Sequence, residues 1–313
     1  MTTTEREGGY YRRPRRSRPR RNRLRRNRPG RRRRRLLVWL VLLPVLAVGG
    51  VFWFRWQCWG MTVTHTEAAL SGLPPEFDGY TIVQLSDLHG HEYGEGSADL
   101  LARVREQGPD LIVITGDLID QESQLQMVPA LAKGLAVIAP TWYITGNHEW
   151  SLGTARVKEL KNLLAQCGVA ALSNQYEILE RNGARIVLAG VDDPNGYADQ
   201  TTPEELYAQI EKEAPGLFTV LLAHRNDRFD QYAAAGYRFV LSGHGHGGIV
   251  RLPFVGGLLG TDRELFPKWT SGLYTVGGST LFVSRGLGNN TVPFQGFRIF
   301  NRPELAVITL RTA

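Results

Sequence analysis

The chain has 313 residues, of which 42% are hydrophobic and 21% are charged, which is enough for one large folded domain with an additional segment. Its net charge of +7 comes from residues 1–35, which contain 17 Arg and two Glu, whereas the rest of the chain carries 20 basic and 28 acidic side chains. A mildly acidic body argues against nonspecific nucleic-acid binding, and two cysteines, Cys58 and Cys167, exclude a disulfide framework and a paired-cysteine zinc site.

Residues 1–35 form an Arg-rich tail that is interrupted by prolines. Such a segment repels itself and cannot bury apolar surface, so we predict that it is disordered. Anionic lipid headgroups are candidate partners of this tail, because each basic residue near a membrane surface contributes about 1 kcal/mol, although contact with RNA is equally compatible with its charge. No specific nucleic-acid partner is predicted.

Residues 36–54 are uncharged and mostly apolar. At a rise of roughly 1.5 Å per residue, a helix of this length nearly crosses a hydrocarbon core of about 30 Å, so we predict a single-pass transmembrane anchor. The positive-inside rule then places the N-terminus in the cytoplasm and the rest of the chain across the membrane. A cleaved signal peptide is the alternative, because residues 47–49 resemble a cleavage site; the anchor is favoured because the apolar run continues through Phe54.

After a predicted linker at residues 55–78, short apolar strands alternate with helical patterns through the domain at residues 79–313. The first half has a βαβ rhythm, with helices expected at about 97–107 and 121–135, and the second half is richer in strands. The expected strands are TIVQLS, LIVIT, TWYIT, RIVLAGV, FTVLLA, RFVLSG, LYTVGG, TLFVSRG and LAVITL. This order predicts an α/β fold, a four-layer α/β/β/α sandwich of two mixed β-sheets flanked by helices.

Side chains that bind divalent metals follow five of these strands. They are Asp87 with His89, Asp117, Asn147 with His148, His224, and His244 with His246. The carboxyl ends of strands in an open α/β sheet converge on one crevice, so residues far apart in sequence can meet there. Side chains two positions apart in an extended chain point to the same side, which suits chelation of one ion by each of the two spaced pairs.

A carboxylate such as Asp117 can bridge two cations about 3.5 to 4 Å apart, and two such cations activate a water and neutralise phosphoryl oxygens. Five of the seven histidines lie in these motifs. One histidine after a strand is more often a structural or surface residue, but chance does not account well for five strand ends of this kind. The pattern therefore predicts a dimetal site.

The set D-x-H, G-D, G-N-H-E, H and G-H-x-H-G-G, in this order, resembles the calcineurin-like metallophosphoesterase superfamily over residues 81–310. The apolar anchor and the V-S-R-G-L-G run at 283–288 are similar to its membrane-associated bacterial phosphodiesterase branch. The resemblance implies a general-acid role for His148, which would protonate the leaving oxygen. It also implies two metal sites, one formed by Asp87, His89, Asp117 and His246 and the other by Asp117, Asn147, His224 and His244.

Several other polar residues are weaker candidates. Asp192 and Asp193 could reach the same crevice, but D-D-P-N-G is typical of a turn, which we favour. Arg225 occupies a segment where many members of the superfamily have proline and aspartate, and phosphate contact and turn capping are equally compatible with it. Arg285 and Arg298 could pair with phosphate or carboxylate, although an arginine near a strand end is more often on the surface.

We predict a hydrolase in which a dimetal-activated water cleaves a phosphomonoester or phosphodiester, with a membrane- or envelope-associated, lipid-linked substrate favoured by the anchor. The two divalent ions could be Mn, Fe, Zn or Co. One alternative is a pyrophosphate hydrolase of the UDP-2,3-diacylglucosamine type, which the topology disfavours if that substrate is cytoplasmic. The other is a non-catalytic, membrane-tethered binding protein; a shared Asp117 argues against it, because structural metal sites are usually closed by four protein ligands.

Overall fold

The computed structural model describes residues 29–261, 264–289 and 297–313, with side chains from residue 33 onward. Most of the predicted disordered tail therefore lies outside the described residues. The first element is helix α1, Pro29–Trp59. Within Arg33–Trp59, the most apolar stretch has a mean hydropathy of 2.5, and none of it is buried. By length and composition this helix could cross a membrane. The chain divides into two compact units between Gly49 and Gly50, within this helix.

Two six-stranded mixed sheets form the second unit. The first sheet has the order β1-β14-β2-β3-β4-β5, in which only the β14–β2 pair is antiparallel. Its strands are β1 (Thr62–Leu70), β2 (Thr81–Leu85), β3 (Leu111–Thr115), β4 (Thr141–Ile144), β5 (Ala170–Ala171) and β14 (Glu304–Thr312).

The second sheet has the order β12-β13-β9-β8-β7-β6, with antiparallel pairs only at its two edges. Its strands are β6 (Gln175–Arg181), β7 (Ala184–Val191), β8 (Phe218–Ala223), β9 (Phe239–Ser242), β12 (Gly272–Val276) and β13 (Ser279–Val283). A separate hairpin pairs β10 (Arg251–Leu252) with β11 (Gly256–Gly257).

Helices cover the outer faces of both sheets. Those on the first sheet are α2 (Ala98–Glu106), α3 (Val128–Ile138) and α5 (Thr154–Gln166), and those on the second are α6 (Pro203–Glu213) and α7 (Phe229–Ala235). A short helix, α4 (Asn147–Ser151), follows β4. Short 3-10 helices lie at Pro75–Phe77, Glu95–Ser97, Glu122–Met127 and Asn226–Arg228.

The inner faces of the sheets pack against each other through fully buried side chains such as Ile82, Val113, Leu188 and Val220. Two further apolar clusters lie between each sheet and its helices. The four-layer sandwich of two mixed sheets is therefore confirmed. Burial on both faces explains why the central strands are continuous apolar runs.

The structure differs from the sequence-based prediction at residues 55–78. This segment, predicted as a linker, contains β1, which pairs with β14 over its whole length. Its sequence TVTHTEAAL is mostly polar because only its last residues are buried, so a search for apolar runs misses it. The helix predicted over 121–135 is instead a 3-10 turn followed by α3, with Pro129 in the first turn, where a missing N–H costs no hydrogen bond.

Candidate metal centre

The seven residues predicted as metal ligands lie together where strands of both sheets end. They follow β2 (Asp87, His89), β3 (Asp117), β4 (Asn147), β8 (His224) and β9 (His244, His246). All are buried except Asn147, which is half-buried. Because these five strands run parallel within their sheets, their carboxyl ends lie at one edge of each sheet.

The backbone around these side chains is unusual. Five of the seven have a positive φ, between 45° and 64°, which is the left-handed region that side chains other than glycine rarely adopt. They are Asp87, His89, Asp117, His244 and His246. Each such residue costs about 1 to 3 kcal/mol and persists only where the surroundings enforce it, which is typical of functional sites.

Glycine is required beside Asp117. A Cβ atom on Gly116, whose φ is +90°, would lie 2.6 Å from the backbone nitrogen of Gly146 and 2.7 Å from Nδ1 of His224. A Cβ atom on Gly146 would lie 2.2 Å from Oδ1 of Asp117. The loops after β3 and β4 can approach this closely only because both positions lack a side chain.

The first group of ligand atoms belongs to Asp87, His89 and His246, which together could hold a metal ion. Nε2 of His246 lies 3.6 Å from Oδ1 of Asp87 and 3.0 Å from Nε2 of His89. Oδ2 of Asp117 lies 3.9 Å from Nε2 of His89 and so borders this group.

The second group consists of Asp117, His224 and His244, which likewise could hold an ion. Nε2 of His224 lies 3.2 Å from Oδ2 of Asp117 and 3.2 Å from Oδ1 of Asn147. Nδ1 of His224 donates to the carbonyl oxygen of Thr115 at 2.8 Å, which leaves Nε2 as the nitrogen that faces the group. Asp117 therefore contacts both groups.

The donor chemistry of the two groups fits a pair of divalent cations. Burial alone would raise the pKa of Asp117, but the neighbouring His224, followed by His89 and His148, lowers it well below its usual value. The shared carboxylate is therefore ionised, as a bridging ligand must be. Mixed imidazole and carboxylate donors suit borderline transition metals better than calcium or magnesium.

His148 lies beside the groups and is half-buried. Its Nδ1 is 3.0 Å from Oδ1 of Asp120, and its Nε2 is 3.9 Å from Oδ2 of Asp117. Burial would lower the pKa of His148, but the hydrogen bond to Asp120 and the charge of Asp117 raise it to about 9. The imidazole thus carries a proton at neutral pH.

Asp120 was not predicted from the sequence. Its Oδ1 contacts Nδ1 of both His89 and His148, so one carboxylate orients two imidazoles and leaves the Nε2 atoms facing the ligand groups. These three residues form a third set that could hold a metal. Burial opposes ionisation, but the two histidines lower the pKa of Asp120 to about 2. The sequence feature that could have identified Asp120 is its position as a second aspartate in the loop that contains Asp117.

We expect Asp120→Asn to lower the rate of phosphate ester hydrolysis by roughly 10- to 100-fold, the usual effect of losing a carboxylate that orients a metal-binding or catalytic histidine. Steady-state kinetics of the full chain measure this. The matched control is Glu122→Gln, because Glu122 is an exposed carboxylate two positions away that pairs with Arg156. Equal rates for both variants would exclude the orienting role.

Glu149 joins the loops after β3 and β4. Its fully buried carboxylate accepts the backbone N–H groups of Gly146 at 2.8 Å, Asp117 at 3.1 Å and Leu118 at 2.5 Å. Burial and the charge of Asp117 raise the pKa of Glu149 to about 7. The glutamate of G-N-H-E therefore holds the backbone of Asp117 in place and does not face the two ligand groups.

The weaker acidic candidates have separate positions. Asp192 lies away from the ligand groups and pairs with Lys161, whose Nζ is 2.7 Å from Oδ2. Asp193 caps the turn that was favoured for this segment by accepting a backbone N–H two residues on. It also accepts from Nε of Arg225 at 2.8 Å, and Nη1 of Arg225 lies 2.9 Å from Nε2 of His244. Arg225 thus connects Asp193 to the second group.

The two later arginines also differ from each other. Arg285 pairs with Glu304 at 3.3 Å, away from the ligand groups. Arg298 is fully buried, contrary to the expectation of a surface residue, because its guanidinium donates to backbone oxygens such as that of Gly288 at 2.7 Å. Burial lowers its pKa to about 10, so it stays charged. Its Nη2 lies 3.3 Å from Nδ1 of His246 and supports that ring.

The sequence of the chain is similar to those of known proteins. The sequence model of the family described as Calcineurin-like phosphoesterase matches residues 80–248, which contain all seven predicted ligands. The chain belongs to this family. The predictions of a metal-dependent hydrolase of phosphate esters and of a dimetal centre as the family's cofactor are therefore confirmed, and the alternative of a non-catalytic binding protein is wrong.

Three relatives illustrate the similarity. The chain is 33% identical over 260 residues to Uncharacterized metallophosphoesterase YkuE of Bacillus subtilis, covering 80% of this chain and 85% of that protein. It is 29% identical over 235 residues to Phosphodiesterase YaeI of Escherichia coli, covering 74% and 82%. It is 31% identical over 265 residues to the Transmembrane protein with metallophosphoesterase domain of Bos taurus, covering 80% and 57%. The last name and helix α1 together suggest that this metallophosphoesterase associates with a membrane.

Proposed function

We propose that the chain hydrolyses phosphate esters with two divalent cations held by residues from both sheets. One cation would be held by Asp87, His89, Asp117 and His246, and the other by Asp117, Asn147, His224 and His244. The observation that carries this proposal is the position of Asp117, whose Oδ2 lies 3.2 Å from His224 in one ligand group and 3.9 Å from His89 in the other. When bound, such cations lower the pKa of a water toward neutrality and neutralise the charge that develops on phosphoryl oxygens.

The protein's own residues would supply the proton for the leaving group. His148 holds its Nδ1 against Asp120, so its Nε2 is free to donate toward a substrate oxygen at the edge of the ligand groups. Its partial exposure lets a leaving alcohol reach solvent. Glu149 keeps the loop of Asp117 rigid, which fixes the distance between donor and ligands.

The donor set accepts Mn, Fe, Zn or Co, and supply would decide among them. We further propose that α1 spans the membrane with the N-terminus in the cytoplasm and the catalytic domain outside it, because 17 Arg precede the apolar run. A tethered enzyme meets membrane-embedded substrates at high local concentration, which favours a lipid-linked phosphate ester.

Metal removal tests the catalytic proposal. We expect EDTA to abolish hydrolysis of bis-p-nitrophenyl phosphate by the full chain in detergent, and re-addition of Mn²⁺, Fe²⁺, Zn²⁺ or Co²⁺ to restore it. The full chain is needed because Gln57 and Cys58 at the end of α1 are buried in the domain. The control is Glu177→Gln, an exposed carboxylate on β6 that should behave as wild type. Hydrolysis that survives exhaustive chelation would contradict the proposal.

A further inference from the structure

The hairpin that follows the last proposed ligands carries apolar side chains into solvent. Leu252, Pro253, Phe254 and Val255 are all exposed, and the Phe254 side chain is fully so. These four residues and Phe300, itself 54% exposed, line one shallow depression. We call these five residues the apolar tip. Contiguous apolar surface of this kind is costly in water and usually marks an interaction site.

The backbone of the apolar tip is also strained. Phe254 has a φ of 67° and Phe300 a φ of 51°, a region that bulky side chains avoid. No packing of the Phe254 side chain within the described residues offsets this cost, since that side chain is fully exposed. Strain that the fold itself does not compensate is typical of segments that bind a partner.

The tip adjoins the last turns of α1. The rings of Phe300 and Trp53 contact edge to face with centroids 5.5 Å apart. Trp53 belongs to an exposed apolar stretch, residues 51–54, of the helix that could cross a membrane. Next to it, the Arg302 guanidinium stacks on Trp56 at 4.0 Å, and tryptophan with arginine is the composition of a membrane interface.

Charge supports the same partner. Arg251 is the single charged residue among the described residues that line the depression, and it is basic. A surface with exposed aromatic and aliphatic side chains and no acidic residue beside its one arginine suits a lipid bilayer, where the apolar groups enter the boundary between headgroups and acyl chains. The apolar stretch of α1 and the apolar tip would then be continuous parts of one membrane contact.

We propose that the apolar tip inserts into the membrane interface as a second attachment beside α1. The hairpin is tied to the proposed metal ligands, because Arg251 donates to the carbonyl oxygen of Gly247, which directly follows His246. Insertion would therefore hold the catalytic site at the lipid surface, where phosphate esters of lipid headgroups lie. The insertion itself rests on the proposed membrane anchor, and only its consequence for the catalytic site rests on the proposed metal ligands.

The test uses the full chain with a single added cysteine at Val255→Cys, since the native Cys58 and Cys167 are buried. An environment-sensitive fluorophore at this position is reconstituted in phosphatidylcholine vesicles and challenged with nitroxide-labelled lipid or aqueous iodide. Matched labels report on Leu43, in the uncharged run of α1 predicted as the membrane anchor, and on Val137, exposed on α3. We expect lipid quenching with iodide protection at positions 255 and 43, and the reverse at 137.

Each other outcome has a defined meaning. Quenching of position 255 by iodide alone, with lipid quenching retained at 43, overturns the proposed insertion of the tip and leaves the proposed anchor intact. Loss of lipid quenching at 43 overturns the proposed anchor, on which the insertion of the tip depends. Protection of position 255 from both quenchers means that protein, such as a second copy, covers the tip, and also overturns the inference.

Adding Phe254→Asp should abolish lipid quenching at 255 while hydrolysis of bis-p-nitrophenyl phosphate in detergent stays unchanged. Retained lipid quenching contradicts insertion through Phe254.

Discussion

Asp117→Asn is expected to lower hydrolysis of bis-p-nitrophenyl phosphate by about a thousandfold or more. The substitution keeps the shape of the side chain and an oxygen that can accept the backbone N–H of His148, whose nitrogen lies 2.9 Å from Oδ1 of Asp117, so the fold should persist. It removes the negative charge that both ligand groups share. A dimetal centre contributes several kcal/mol, and each factor of ten corresponds to roughly 1.4 kcal/mol.

Two measurements on the same preparation make this result specific. Metal analysis should show fewer bound ions per chain in Asp117→Asn than in wild type, while the thermal unfolding temperature stays close to the wild-type value. Glu177→Gln, which removes an exposed carboxylate from the edge strand β6, should change neither quantity. Wild-type metal content and rate in Asp117→Asn would leave no bridging role for this carboxylate.

His148→Ala is expected to have the second largest effect, and that effect should depend on the leaving group. General acid catalysis contributes about 10²- to 10⁴-fold when the leaving oxygen must be protonated. Hydrolysis of an alkyl phosphodiester should therefore fall by that factor, whereas a p-nitrophenyl ester, whose leaving group departs as an anion, should lose much less. Because the side chain is half-buried at the rim, its removal should leave the core intact.

The comparison of the two substrates separates an acid from a ligand. If His148 donates the proton, metal content stays at the wild-type level and only the slope of rate against leaving-group pKa becomes steeper. Equal losses with both esters, together with lost metal, would instead assign His148 to the third possible metal-binding set with His89 and Asp120.

The central strands could be predicted because burial on both faces makes them apolar throughout. The runs that become β3 and β8 are entirely buried, and each is preceded and followed by polar or turn-forming residues. Edge strands lack this signature: β6 reads QYEILER, and none of its residues is fully buried. β1 became part of a sheet only through its partner β14, which lies more than 200 positions later in the chain. Such pairing depends on the tertiary fold and leaves little local trace.

The proposed ligands were likewise visible as motifs after strands, since metal binding demands particular residue types. The residues that hold them in place were not, because their roles depend on which loops meet. Asp120 gains its role only where His89 and His148 converge on one carboxylate. Arg298, which looked like a surface arginine, becomes buried because backbone oxygens of a neighbouring loop surround its guanidinium.

Crystallography of the full chain, with anomalous diffraction collected at the absorption edge of the bound metal, tests the dimetal centre most directly. The account predicts two peaks about 3.5 to 4 Å apart with a carboxylate oxygen of Asp117 between them. One peak would be ligated by Asp87, His89 and His246, and the other by Asn147, His224 and His244. A protein that is active yet shows no peak beside Asp117, or binds its metal elsewhere in the chain, would contradict it.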